Sequence, residues 1–453
     1  LPGVRLLPQL PVGSDPLATE DPVAAAAALD GSNYSTADRL FPFLTDQREA
    51  RAQLRTGTLP TWDPNLGLGV PLFAASIAAF AYPPNWLALL LPPDLAAAPL
   101  ALLSLFLAGL GMALFLRRRG LAEPAVLVGA LAMQASTWGL ANLHYFMKVD
   151  AALWLPWMLL GIELLATTGA AGRSERRRGV LVLALAVGLS TLASFPPITV
   201  FALATAGLYA LVRFALPAAT DAPGPRRLAG IPHALGAVLL GLCLGAWQLL
   251  PMVEASDLSR RIPRSAETMV GEALPTSTTA GLLVPDLFGP PDEGMFDAAT
   301  NPIAAWLTAP EDAGRLVAWN RLEWNTHLGG LALLLALVAL VTVPRRAWLP
   351  ALLVILWLGF AQAWPGLRLL YHLPGLNLGA PSRALAIAWP LMAWLAALGT
   401  QALVRGSAER SEHTGRRRPG GGGATACVLV GGAAFLLAFL ARGYLDPVEA
   451  MPR

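Results

Sequence analysis

The chain alternates long apolar runs with short polar ones, and most of the apolar runs are long enough to cross a membrane as helices. Windows with few or no charges fall at residues 95–116, 125–143, 151–166, 179–194, 198–214, 233–253, 326–343, 348–363, 384–404 and 425–441. A helix of roughly 20 apolar residues spans about 30 Å of hydrocarbon, so the pattern predicts ten crossings. The expected fold is an all-α polytopic membrane protein. Its parts are a first external segment with interfacial helices (1–94), helices one to six (95–253), a long external loop (254–325), helices seven to ten (326–441) and an external tail (442–453).

Shorter apolar patterns predict the remaining elements. Residues 77–91 are apolar but bounded by Pro83-Pro84 and Pro92-Pro93, and the alternation of sides requires both ends outside, so this stretch reads as re-entrant or interfacial. Across 38–54, Leu40, Phe43, Leu44, Ala50 and Leu54 recur at helical spacing with Asp46, Arg48, Glu49 and Arg51 elsewhere. That pattern predicts a helix lying on the membrane surface. Past Gly57, Leu59-Pro60-Thr61-Trp62-Asp63-Pro64-Asn65 reads as a turn with Trp62 at the headgroup layer. Phe195-Pro196-Pro197 predicts a minimal reversal between two spans, because proline lacks the donor that would continue a helix. The Gly420 to Gly423 run reads as a linker.

Charge gives the pattern a direction. Alternating sides gather Arg117-Arg118-Arg119, Arg173 with Arg176-Arg177-Arg178, Arg226-Arg227, Arg345-Arg346 and Arg405 with Arg416-Arg417-Arg418 at one face. The positive-inside rule makes that face cytoplasmic. Of the 29 acidic residues, Glu123, Glu175, Asp221, Glu409 and Glu412 fall there, Glu163 falls within a span, and the rest lie outside. The polar chemistry is therefore expected on the extracytoplasmic side.

Composition narrows the class further. With 55% hydrophobic and 13% charged residues, about half the charged share of a soluble domain, the surface requires lipid as its solvent. All but one of the 32 basic residues are Arg, which points to a GC-rich bacterial genome and hence to a bacterial cytoplasmic membrane. Cys243 and Cys427 both lie in apolar windows, excluding a disulfide framework or a Cys-based metal site. A formal net charge of +3 with dispersed Arg excludes a nucleic-acid partner. No Gly-rich phosphate loop, His-Glu-x-x-His or nucleophile elbow occurs. The candidate chemistry is instead a set of polar groups at the outer boundary: Asp38, Arg39, Asp63, His144, Lys148, Asp150, Asp286, Asn320, Arg321, Glu323, Asn325 and Arg383.

Several short stretches then carry a family likeness. Asp38-x-x-Phe41-Pro42-Phe43, Gly57-x-Leu59-Pro60-x-Trp62-x-Pro64, Gly69-x-Pro71-Leu72 and Tyr82-Pro83-Pro84-Asn85 resemble the opening block of the bacterial YfhO-type membrane proteins. Trp154-Leu155-Pro156, Gln248-Leu249-Leu250-Pro251, Leu283-x-Pro285-Asp286-x-Phe288-Gly289, Glu323 ahead of Leu328-Gly329, and Ala380-Pro381-Ser382-Arg383 follow in the same order. Where such proteins carry a His-Pro-Gln turn, this chain has Phe195-Pro196-Pro197. They also carry a span ahead of the first external loop and run on past the last one here, so the chain is expected to lack an N-terminal span and a C-terminal region.

The resemblance implies a GT-C-like helical bundle that takes a sugar from a polyprenyl-phosphate carrier and passes it to an extracytoplasmic glycan or lipid acceptor. The rivals are a transporter or flippase of lipid-linked saccharide and a non-catalytic scaffold for envelope polymer assembly. The implied base is Asp38, although Ser35-Thr36-Ala37-Asp38 also fits a capping box. Arg383, Arg321 and Lys148 are expected at the donor phosphate, against the alternatives of headgroup anchors and a Lys148–Asp150 pair closing a loop. Asp150, His144, Glu323 and Asn325 are expected at the sugar, although Glu323 and Asn325 could equally cap the span that follows. Asp286 reads as a turn residue after Pro285. No metal site and no cofactor is assigned, a divalent cation being left open, and membrane lipids complete the expected partners.

Overall fold

The computed structural model describes residues 45–413 apart from 67, 76–78, 80, 92, 144, 167, 216–227, 229, 258–262, 284–326 and 328. Among the described residues the regular structure is helical. The exception is one isolated antiparallel bridge, Asp63 to Val70, and there is no β-strand. The principal helices are α1 (Thr45–Arg55), α2 (Pro93–Arg118), α3 (Glu123–Gln134), α4 (Thr137–Ala141), α5 (Phe146–Ala152), α6 (Leu155–Ala166), α7 (Thr168–Leu192), α8 (Pro196–Ala215), α9 (Gly230–Asp257), α10 (Gly330–Thr342), α11 (Pro344–Ala361) and α12 (Leu385–His413).

Six stretches are long and apolar enough to cross a membrane: Leu95–Arg118, Glu123–Ala141, Phe146–Ala166, Pro196–Ala215, Gly230–Ser256 and Pro381–Gly406. The chain is an all-α membrane protein on this evidence. Of the ten predicted windows, the one at 425–441 lies outside the described residues, as does the Gly420 linker. The windows at 179–194 and 348–363 fall on α7 and α11, and the window at 326–343 falls on the shorter α10.

The breaks between helices follow local chemistry. After α2 the chain reverses at Gly120, whose φ of 75° belongs to the left-handed region, and the Leu121 amide reaches back to the Leu116 carbonyl at 3.2 Å. Ser136 separates α3 from α4, accepting from the Gly139 amide at 3.4 Å as an N-cap. The predicted reversal at Phe195-Pro196-Pro197 is present: Ser194 adopts φ 63° and α8 begins at Pro196, where a missing N–H costs nothing.

Enclosure sorts the helices into centre and periphery. The Phe146–Ala166 and Pro381–Gly406 stretches are 89% and 83% buried over their apolar windows, whereas Gly230–Ser256 is 22% buried. The central α12 packs against α3, α10 and α11, and α6 packs against α2 and α7, with α9 laid over α7 on the outside. In lipid, helices gain little from apolar burial, so close contact of small residues holds them together. A Cβ at Gly399 of α12 would lie 1.9 Å from the Leu335 carbonyl oxygen of α10, and one at Gly241 of α9 would lie 2.5 Å from the Ala184 oxygen of α7.

Of the helix expected over 38–54, residues 45–55 are described and helical, while Leu40, Phe43 and Leu44 of its stripe lie outside the described residues. The buried side chains of α1 are Asp46, Gln47 and Ala50, while Leu54 is 37% exposed. Bonds at its surface tie α1 to the loop that follows. Gln53 donates to the Trp62 carbonyl at 2.6 Å, Asn65 donates to Glu49 at 3.0 Å, and the Asp63–Val70 bridge folds the following loop back on itself. Residues 77–91 form no crossing among the described residues. They carry a 3₁₀ turn at Pro83–Asn85 and a five-residue helix, Trp86–Leu90, that packs on α1 and α2.

Candidate functional site

The helix ends assemble two polar centres at opposite ends of the bundle. At the end where α2, α5 and α8 begin, α5 carries Lys148 and Asp150 among otherwise apolar neighbours. These residues were expected in an external turn closed by a Lys148–Asp150 pair. The structure corrects both points: the helix already starts at Phe146, both side chains are buried, and no ion pair joins them. Phe146 explains the difference, because it packs with Ala96, Ala97, Leu100 and Ala101 of α2 and draws the first turn of α5 into the bundle.

The carboxylate on α5 is met from another helix and the ammonium from the residue that caps α5. The Ser104 hydroxyl on α2 donates to Asp150 Oδ1 at 2.5 Å, and the Lys148 Nζ lies 4.0 Å from the centre of the Tyr145 ring. Beside them stands Tyr82, fully buried, whose hydroxyl accepts from Trp154 Nε1 at 3.1 Å. Burial, and then the negative charge of Asp150, push the Tyr82 phenol well above its ordinary value. It therefore stays neutral as a hydrogen-bonding post. Behind Asp150, Ser190 of α7 donates to the Ala151 carbonyl at 3.0 Å, and Thr199 of α8 donates to the Ser190 carbonyl at 2.9 Å.

Arg383 occupies the 3₁₀ turn Pro381–Ala384 that leads into α12. Its guanidinium carbon sits 5.1 Å from the centre of the Phe195 ring, on the reversal that opens α8. Helix α8 packs against both α5 and the Pro381–Ala384 turn, so it connects the two sets of charges. The loop ahead of Arg383 is tied to the segment preceding Ser265. The Arg264 amide donates to the Asn377 carbonyl at 3.0 Å, Asn377 Nδ2 donates to the Arg264 carbonyl at 3.1 Å, and the Arg264 side chain is paired with Glu272 at 2.6 Å.

On the docked first segment, the Asp46 carboxyl is raised to about 7, by burial first and by the nearby charge of Asp63 second. Among the described residues no group of three or more His, Cys, Asp or Glu side chains is placed to hold a metal ion.

At the opposite end the basic residues converge. Glu163, the acidic residue read as lying within a span, meets Arg213 of α8 at 2.7 Å, Arg119 at 3.3 Å and the Tyr209 hydroxyl. Arg118 pairs with Glu175 at 2.7 Å and Arg117 with Glu123 at 2.7 Å. The Ala122 amide donates to Gln401 of α12 at 2.6 Å.

Of the expected site residues, the structure brings Lys148 and Asp150 together on one helix and sets Arg383 against the next. Asp38, His144, Arg321, Glu323 and Asn325 lie outside the described residues, as do Arg39, Asp286 and Asn320. Tyr82, Ser104 and Trp154 were not singled out as chemistry. A Ser in the middle of an apolar window carries too weak a signal, but a lone Glu163 among apolar residues followed by Arg213 at the same depth was a usable one. Comparison of the chain with protein-family models, with curated proteins and with solved structures returns no match.

Proposed function

We propose that the chain is a YfhO-like, GT-C-type glycosyltransferase of the bacterial cytoplasmic membrane, with its basic end cytoplasmic and its Lys148–Asp150–Arg383 end facing outward. The observation that supports this reading is that the motifs carrying the resemblance interlock at that outer end. Tyr82 of Tyr-Pro-Pro-Asn bonds Trp154 of Trp-Leu-Pro at 3.1 Å. Gln248 of Gln-Leu-Leu-Pro donates to the carbonyl of Phe73, just past Gly69-x-Pro71-Leu72, at 2.9 Å. Segments 72 and 175 residues apart are thus joined where an external sugar donor would arrive.

In this reading a polyprenyl-phosphate sugar enters from the bilayer and Arg383 binds its phosphate. The acceptor hydroxyl oxygen attacks the anomeric carbon, and the bond from that carbon to the phosphate oxygen breaks with its electron pair leaving on the phosphate. Asp38 takes the acceptor proton. Lys148 and Arg321 add positive charge beside the departing phosphate, and Asp150, His144, Glu323 and Asn325 orient the sugar.

Purified protein given radiolabelled polyprenyl-phosphate sugar and candidate acceptors tests the proposal. Asp38→Asn is expected to lower transfer by about 10²- to 10⁴-fold with donor binding retained, and Arg383→Ala to weaken binding as well as rate. Release of the donor on the far side of a proteoliposome with its carrier bond intact would establish a transporter instead. An Asp38→Asn variant transferring at the wild-type rate would remove Asp38 from the mechanism.

A further inference from the structure

We propose that Gly379 and Phe195 form a cradle that fixes the Arg383 guanidinium, and that they are positioning residues for the donor phosphate; this rests on the phosphate-binding reading of Arg383. Two surfaces bound the guanidinium. On one side is the Phe195 ring, 5.1 Å from the guanidinium carbon, a distance at which the ring's negative face attracts the cation.

On the other side is the backbone of Gly379. A Cβ there would lie 2.6 Å from Arg383 Nη1, 3.1 Å from its Cδ and 3.0 Å from Pro197 Cγ. Only hydrogen fits between that backbone and the arginine as placed. Gly379 needs no left-handed conformation, since it is absent from the positive-φ glycines, so the requirement for glycine here is one of space.

The cradle is held from outside. Gly375, with φ 90°, turns the chain so that a Cβ there would meet Val200 Cγ1 of α8 at 3.3 Å. Arg264 bonds the backbone at Asn377 and reaches the Leu378 carbonyl at 3.4 Å, and it is itself fixed by Glu272. The loop cannot easily retreat from an added methyl group. The end of a long arginine can, so Gly379→Ala would displace the guanidinium and leave the fold intact. A displaced guanidinium loses the paired hydrogen bonds on which phosphate recognition depends.

The experiment measures binding of polyprenyl monophosphate, without sugar, to the full chain in lipid nanodiscs. Arg383→Ala is expected to weaken binding about 100-fold and Gly379→Ala about 10-fold, both melting within error of wild type. Phe195→Leu is expected to weaken it a few-fold, with Phe195→Tyr restoring it because the ring face returns. In an Arg383→Ala background Gly379→Ala should have little further effect, since Nη1 and Cδ of the arginine are gone and only the 3.0 Å approach to Pro197 Cγ remains. Wild-type binding by Gly379→Ala, or an equal loss in both backgrounds, would overturn the cradle while leaving Arg383 at the phosphate. Undiminished binding by Arg383→Ala would overturn the phosphate reading itself.

Discussion

Replacing Glu163 by Gln removes the buried negative charge that two guanidiniums share. The side chains of Glu163, Arg213 and Arg119 are 2%, 5% and 14% exposed, and they join α6, α8 and the end of α2. Glu163 accepts from Arg213 through both oxygens, at 2.7 and 3.2 Å, from Arg119 at 3.3 Å and from the Tyr209 hydroxyl. A glutamine oxygen can still accept from Arg213 and Tyr209, but the charge is gone and Arg213 remains enclosed.

Breaking a buried pair from one side typically costs about 3–5 kcal/mol. The lower end applies here, because Arg119 can turn toward headgroups, so the expected loss is about 3 kcal/mol. Removing Glu163 and Arg213 together leaves only Arg119, the more exposed of the two guanidiniums. Adding Arg213→Leu to Glu163→Gln should therefore recover most of that loss, giving a coupling of about 2 kcal/mol. Steric-trap or detergent unfolding of the purified protein measures all four corners of the cycle. Arg117→Gln, which breaks the exposed pair with Glu123, is the control and should be silent. Wild-type stability of Glu163→Gln, or a double variant as weak as the sum of the singles, would refute the reasoning.

Asp46 provides a pH test. A carboxyl raised to about 7 keeps its proton in the folded state, so the docking of α1 is strongest below the unfolded value near 4 and weakens as pH rises through 7. Tryptic cutting at Arg48, Arg51 and Arg55 should accelerate between pH 5 and pH 8 as an order-of-magnitude guide, and Asp46→Asn should flatten that rise. A wild-type cutting rate that follows only the protease's own pH profile would contradict it. Gly399→Ala should push α10 from α12, since its Cβ would sit 1.9 Å from the Leu335 oxygen. A cost of about 1–3 kcal/mol or more is expected, read as a lower melting temperature. For orientation, Arg177→Cys in a Cys243→Ser, Cys427→Ser background should react with a membrane-impermeant thiol reagent only after cells are opened. Labelling of intact cells would invert the topology.

The helical windows that fall on described residues, the reversal at Phe195-Pro196-Pro197 and the placing of Arg117, Arg118 and Arg119 together at one end were legible from the chain. Each depends on a single segment: whether about twenty residues transfer favourably into lipid, whether a backbone donor is missing, and which ends carry guanidiniums. A hydropathy pattern adds up transfer terms residue by residue and is blind to pairing. That is why it assigned Lys148 and Asp150 to a turn, although Phe146 packs against α2 and carries them inward, where Ser104, 46 residues away, meets the carboxylate. Among the described residues the buried side of α1 holds Asp46 and Gln47 beside Ala50, a mixture of polar and apolar side chains that transfer terms alone do not give. The sequence by itself determined that this is a helical membrane protein and where its charged ends fall, since those are properties of segments. The partners of Glu163, the Ser104–Asp150 bond and the closeness of Gly379 to Arg383 were decided only by the tertiary structure, because each is a contact between segments whose separation along the chain says nothing about their distance in space.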